Sequence, residues 1–174
     1  MSAAPDSPAD VDIRPYAPED ADAVWSIFHR VVSAGETYAY DPDTTREEAL
    51  ARWTGAPARC YVAESEGRIV GSYTLKPNQI GLGSHVSNAG FMVDPDAGGR
   101  GTGRAMCEHA IDEARALGFR AMQFNLVVAT NERAVALWRR LGFEVVGRLP
   151  GAFWLRKERY VDALVMYREL TADS

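Results

Sequence analysis

At 174 residues, 47% of them hydrophobic, and with a formal charge of −5, the chain suits one domain with a sizeable core and is too apolar for a mainly disordered protein. The acidic balance argues against nucleic acid as a partner, which favours a broad basic face. Cys60 and Cys107 stand outside any cluster of His and Cys, so no metal site is expected, and no run is long enough to span a bilayer.

Residues 1–10, mostly Ala, Ser, Pro and Asp, read as a disordered tail without the basic and apolar regions of a signal peptide. A single cytoplasmic domain over residues 11–174 is expected. Residues 12–17 predict a short strand. Pro18-Glu19-Asp20 starts a helix on which Ala21, Val24, Phe28 and Val31 recur at helical spacing up to Gly35. Residues 35–42 break that period and carry Glu36, Tyr38 and Tyr40, a candidate substrate wall. Thr44 and Thr45, followed three residues on by Glu47 and Glu48, form overlapping capping boxes for a second helix through Trp53.

Residues 59–65 and 68–77 flank Glu66-Gly67 and predict a hairpin, residues 78–84 a loop, and residues 85–93 a strand. A glycine-dense run then leads into a helix whose stripe is Cys107, Ala110, Ile111, Ala114 and Leu117, stopped by Gly118. Residues 120–128 predict a buried strand in which Gln123 and Asn125 need partners. Asn131 caps a helix with Ala134, Val135, Leu137, Trp138 and Leu141 on its inner face. Residues 143–147 and 161–170 read as the last strands, joined by a long connection over 148–160. Its Phe153, Trp154 and Leu155 suggest a pocket lid or a homodimer contact, and its charged run Arg156-Lys157-Glu158-Arg159 is a solvated face able to meet a carboxylate. The order β-α-α-β-β-β-α-β-α-β-β predicts an α/β fold on a mixed sheet.

Strand, glycines and helix start together make an anion cradle, with Gly99, Arg100, Gly101, Thr102, Gly103 and Arg104 as its residues. No Lys-Ser or Lys-Thr follows to make a P-loop, and the loop does not open the chain as a first βα turn, which excludes the dinucleotide fingerprint. A coenzyme carrying pyrophosphate as a handle is the expected guest. Asn88 and Asn125 are amides on two strands bracketing the central helix, and with Asn131 they form a candidate amide cluster. Gly90 permits a bulge that brings Asn88 and Phe91 into one pocket. His85 is a candidate base, because an imidazole takes a proton from an ammonium near neutral pH. His29 and His109 read as packed or exposed.

The loop, together with Asn131-Glu132-Arg133-Ala134-Val135-Ala136-Leu137-Trp138-Arg139-Arg140-Leu141-Gly142-Phe143, resembles the GCN5-related N-acetyltransferase (GNAT) superfamily over residues 11–170. The family's loop pattern falls on Gly98, Gly101 and Gly103, with Gly98 where a basic or amide side chain is usual and Trp138 where a tyrosine is usual. His85-Val86-Ser87-Asn88-Ala89-Gly90-Phe91 and Phe124-Asn125-Leu126-Val127, followed by Thr130-Asn131, resemble the azetidine-2-carboxylate N-acetyltransferase subgroup. The resemblance implies a mixed seven-stranded sheet with about four helices, splayed between the strands ending at Val93 and Val128. It implies acetyl-CoA as co-substrate, held along Phe91, Met92 and Val93 and anchored by Asn131, with the oxyanion met by backbone N–H near Phe91 and Met92. Asn88 and Asn125 are then the candidate catalytic residues, and Tyr38, Tyr40, His85, Asn88, Phe91 and Asn125 the acceptor contacts. The expected activity is acetylation of a small-molecule amine, an amino acid or a cyclic analogue. A protein N-terminal or lysine acetyltransferase and a non-catalytic acyl-CoA-binding domain are the alternatives.

Overall fold

The computed structural model describes residues 10–171, so the expected tail lies outside the described residues except for Asp10. Strand β1 (Asp12–Pro15) passes through a 3-10 turn at Pro18–Asp20 into α1 (Ala21–Ser33), followed by α2 (Arg46–Thr54). Strands β2 (Arg59–Ser65), β3 (Arg68–Pro77) and β4 (Val86–Val93) come next, then α3 (Thr102–Ala116), β5 (Ala121–Val128) and α4 (Glu132–Arg140). β6 (Glu144–Leu155) and β7 (Arg159–Glu169) end the chain. One mixed sheet holds all seven strands in the order β1-β2-β3-β4-β5-β7-β6. None of the described helices is long and apolar enough to cross a membrane.

Helical spacing decides which helix covers which face. Val24, Ile27, Phe28 and Val32 of α1 pack with Ala49 and Trp53 of α2 and with Met92 of β4. On the other face Met106, Cys107, Ala110, Ile111 and Ala114 of α3 pack with Tyr73, Ala89 and Phe124. Of the two capping boxes, Thr45 forms the real one: its hydroxyl accepts from Glu48 N at 3.3 Å, and Glu48 Oε2 accepts from Thr45 N at 3.0 Å. Asp94, buried at the end of β4, accepts from Arg30 of α1 at 2.8 Å and from Asp96 N at 3.0 Å, fixing the turn that leads to the glycines.

Among the described residues β4 and β5 are the one parallel pair, and they pair only at Val86↔Ala121, Ser87↔Met122 and Asn88↔Gln123. Beyond that they diverge. The bulge expected at Gly90 is absent, because β4 stays in regular register with β3 from Ser87 to Val93. It lies in β5 instead: Phe124 pairs with Met166 and Val127 with Leu164, so β5 carries one extra residue around Asn125-Leu126. The strand without a straight partner is the one that bends.

The expected connection over residues 148–160 is also corrected. β6 continues to Leu155 and turns through Arg156 and Lys157, at φ of 51° and 59°, directly into β7. Pro150 and Gly151 mark a bulge, not a loop, since Leu149↔Ala163 is followed by Phe153↔Val161. Phe153 is therefore buried in the sheet and forms no lid, while Trp154 stacks on Tyr160 at 5.9 Å on the surface. The charged tip does meet a carboxylate. Arg156 Nε donates to Glu36 at 2.9 Å, and Arg156 N donates to Gly35 O at 2.8 Å.

Candidate functional site

Backbone direction alternates along a strand, so β4 has two chemical edges. Val86 O accepts from Asn78 N and Asp94 N donates to Val70 O, each at 2.8 Å, which places the polar groups of even-numbered residues toward β3. Ala89, Phe91 and Val93 consequently turn their N–H and C=O groups toward the widening cleft. Of the two expected oxyanion donors only Phe91 faces it. Met92 points its backbone at β3 and its side chain, 2% exposed, into the cluster under α1.

Two cavities meet at this cleft. One, of about 590 Å³, is lined by Tyr38, Tyr40, Arg52, Lys76, Asn88 and Asn125 among others. The second, of about 850 Å³, is lined by Gly98, Gly99, Gly101, Thr102, Gly103 and Arg104, with Arg133 and Arg140 opposite. Phe91, Val93, Asn131, Ala134 and Trp138 line both. Among the described residues, the first cavity's lining holds no histidine and no carboxylate.

The wall of the first cavity is aromatic and tightly set. Tyr38 donates its hydroxyl to Phe91 O at 2.7 Å and packs against Tyr40 and Trp53, both with ring centroids 5.9 Å away. A Cβ on Gly90 would lie 3.2 Å from Tyr38 Oη and 3.4 Å from Trp53. A side chain here would require Tyr38 to shift by a few tenths of an ångström. Burial pushes both tyrosine phenols above their ordinary range, with Arg52 partly opposing this at Tyr40, so both stay neutral donors at physiological pH. On the far side Trp138 packs 5.2 Å from both Phe91 and Phe124 and brings no hydroxyl to the cleft.

The amides are arranged differently from the expected cluster. Asn88 Nδ2 donates to Gln123 O at 3.0 Å, capping the last β4–β5 pairing. Asn125 is exposed rather than buried: it accepts from Gln123 Nε2 at 2.9 Å and donates to Asn78 Oδ1 at 2.7 Å. Asn78, on the loop after β3, is the partner that sequence reasoning did not find. Asn131 Oδ1 caps α4 by accepting from Ala134 N at 3.3 Å.

In the cradle, Gly99 and Gly101 adopt φ of +83° and +81°, and Gly101 begins α3 with no side-chain cap. The N–H groups of Thr102, Gly103 and Arg104 therefore stay open at the helix start. Arg104 is tied to Glu108 at 2.9 Å, and Arg100 is exposed outside the lining. The cation that sequence reasoning missed is Arg133, whose guanidinium lies 3.4 Å from the Cβ position of Gly99. Its signal was present: a cation in the first turn of a helix opposes the dipole and calls for another purpose.

Four residues singled out in the sequence lie elsewhere. His85 is exposed outside both cavities, and only its carbonyl is engaged, by Arg120 N at 2.9 Å. Glu36 is taken by Arg156. His109 bonds the Tyr73 hydroxyl at 2.7 Å behind the sheet, and His29 packs on Trp25 at 5.0 Å.

A sequence profile described as the acetyltransferase (GNAT) family matches residues 23–143. N-acetyltransferase aca1 of Schizosaccharomyces pombe is 33% identical over 151 residues, which span 77% of this chain and 72% of that protein. A mycothiol acetyltransferase of Saccharomonospora viridis is 31% identical over 82% of this chain, which spans about half of that relative, 48%. The solved GCN5-related N-acetyltransferase from Kribbella flavida superposes with a TM-score of 0.86 at 46% identity, covering 91% of this chain and 97% of that one.

Proposed function

We propose that this chain, which belongs to the acetyltransferase (GNAT) family, carries acetyl from acetyl-CoA to the amine of a small molecule, an amino acid or a cyclic analogue of the azetidine-2-carboxylate kind, in the cytoplasm. It is an N-acetyltransferase of the GNAT type. The observation that carries the finer reading is the meeting of a glycine-lined and an aromatic-walled cavity along Phe91, Val93, Asn131, Ala134 and Trp138. The free, buried Cys60 and Cys107 suit a reducing compartment.

In this reading the cradle N–H groups and Arg133 hold the coenzyme's pyrophosphate, each charge-assisted bond contributing ~1.5–3 kcal/mol. The edge of β4 at Val93 and Phe91 pairs with the pantetheine arm, and Asn131 anchors it. The amine nitrogen attacks the thioester carbon, an N–C bond forms, the C–S bond breaks and the thiolate departs. Phe91 N–H faces the developing oxyanion, a contribution of about 10²–10³ in rate for one such donor. Asn88 and Asn125 position the acceptor against the wall of Tyr38 and Tyr40. Positioning alone supplies roughly 7–11 kcal/mol in ideal cases. With no histidine or carboxylate in the lining, water takes the amine's proton, and with Trp138 in place of a hydroxyl, water also protonates the thiolate. We place a homodimer contact at the edge strand β6, where Val146 and Trp154 are exposed; a monomeric mass in sedimentation removes it.

Free-thiol release from acetyl-CoA across a panel of amines tests the reading. Turnover with small amino acids supports it. Turnover only with peptide N-termini or lysines moves the acceptor to the protein class, and silence with every amine despite coenzyme binding makes the protein an acyl-CoA-binding domain.

A further inference from the structure

Among charged side chains, the acceptor cavity is lined by two cations, Arg52 and Lys76, and by no carboxylate. Neither forms an ion pair among the described residues, in contrast to Arg104, which is paired with Glu108. Glu48, one helical turn before Arg52, is already bonded to the backbone and hydroxyl of Thr45. Both cations are solvent-exposed at an uncharged amide and aromatic pocket, where an anion entering it would meet them.

Register fixes where that anion sits. Lys76 of β3 is directly opposite Asn88 of β4, and Thr74 is opposite Gly90, so Lys76 and Asn88 stand side by side on one face. Arg52 adjoins Trp53, whose ring closes over Gly90. Both cations line one cavity with the Asn88–Gly90 stretch, Lys76 from β3 and Arg52 from α2, while Phe91 N–H opens just beyond it and Phe91 O accepts from Tyr38. An acceptor spanning the two has its amine at Phe91 and its negative group between Lys76 and Arg52.

We propose that Arg52 and Lys76 form a carboxylate clamp, so that the acceptor carries a carboxylate beside the amine it presents to the thioester. This rests on the transferase reading given above. The clamp has a second effect on the reaction. Two positive charges beside the bound acceptor disfavour its ammonium form, which helps to present the neutral nucleophile in a cavity that has no side-chain base.

The test compares amino acids with their decarboxylated amines, for example proline with pyrrolidine and alanine with ethylamine, in the wild-type protein, Arg52→Ala, Lys76→Ala, the double variant and Lys76→Arg. The wild type is expected to favour the carboxylate-bearing acceptor. Each alanine variant reduces the ratio of the two kcat/KM values by about ten- to a hundredfold, mainly through KM, and Lys76→Arg restores it. A wild-type ratio near one, or a ratio unchanged in the double variant, overturns the clamp even where acetylation is rapid. Calorimetric titration of proline into the CoA-bound protein reads the clamp without turnover. Proline binding that is lost in the double variant, with no thiol released from any amine, upholds the clamp and removes the transferase reading. Absence of proline binding to the wild type removes the clamp.

Discussion

The Tyr38 hydroxyl and the Phe91 carbonyl, 53 residues apart in sequence, are 2.7 Å apart at the mouth of the cleft. This bond joins a loop side chain to the strand residue whose N–H faces the proposed oxyanion. It also makes the α1–α2 loop part of the proposed reaction surface. Tyr38→Phe removes the bond but keeps the wall, and is expected to cost about 1 kcal/mol of stability in urea denaturation and to lower kcat more than it changes acetyl-CoA affinity. Because burial raises the phenol above its ordinary range, the wild-type pH–rate profile shows no alkaline limb that disappears in this variant.

Gly90→Ala places a methyl 3.2 Å from Tyr38 Oη and 3.4 Å from Trp53. Trp53 is buried, so the half-buried Tyr38 is the ring that has to give. The variant is expected to lose about 1–3 kcal/mol of stability and most of its turnover, with coenzyme binding retained in fluorescence titration.

Asn125→Ala breaks the chain from Gln123 to Asn78. Turnover is expected to fall about 10²-fold while the Kd for acetyl-CoA changes little. Turnover like that of the wild type removes Asn125 from acceptor positioning. Asn78→Ala, which takes away only the outer partner, is expected to give a smaller loss in the same direction.

Gly101→Ala puts a Cβ on a backbone at φ +81° at the start of α3. The strain is about 1–2 kcal/mol. Relief of it turns the open N–H groups away, so the KM for acetyl-CoA rises severalfold in steady-state kinetics while the acceptor KM stays close to its original value.

Asp20 supplies a pH-dependent part of stability away from the site. The Arg14 guanidinium holds its carboxyl below the ordinary range, assisted by the N–H of Ala17 and opposed by burial. A carboxyl depressed in the folded state contributes stability above its unfolded pKa of about 4 and loses it as the pH falls toward the folded value. Urea denaturation from pH 6 down to pH 3 is expected to show a declining slope that is reduced in Asp20→Asn.

The element order and the glycine cradle were legible because each rests on local chemistry: Thr45 with Glu48, Glu66-Gly67 between two β-rich runs, glycines at a helix start. What the sequence concealed depends on partners far along the chain. Pro150 and Gly151 look like a loop until β7 is beside them, and only then does a bulge become visible. Asn125 looked like a buried amide because its neighbours are apolar, yet the splay that its own strand makes leaves it exposed. Arg133 carried a readable signal in its unfavourable helix position, whereas Arg52 and Lys76 look like ordinary surface charges until the fold brings them to one cavity.

The clasp of Arg156 on Gly35 and Glu36 joins positions about 120 residues apart. The segment that carries Tyr38 is thus tied to Phe91 of β4 through its hydroxyl and to the tip of the last hairpin through its backbone and Glu36. A change at that tip is therefore also a change at the wall of the first cavity, although the tip lines neither cavity.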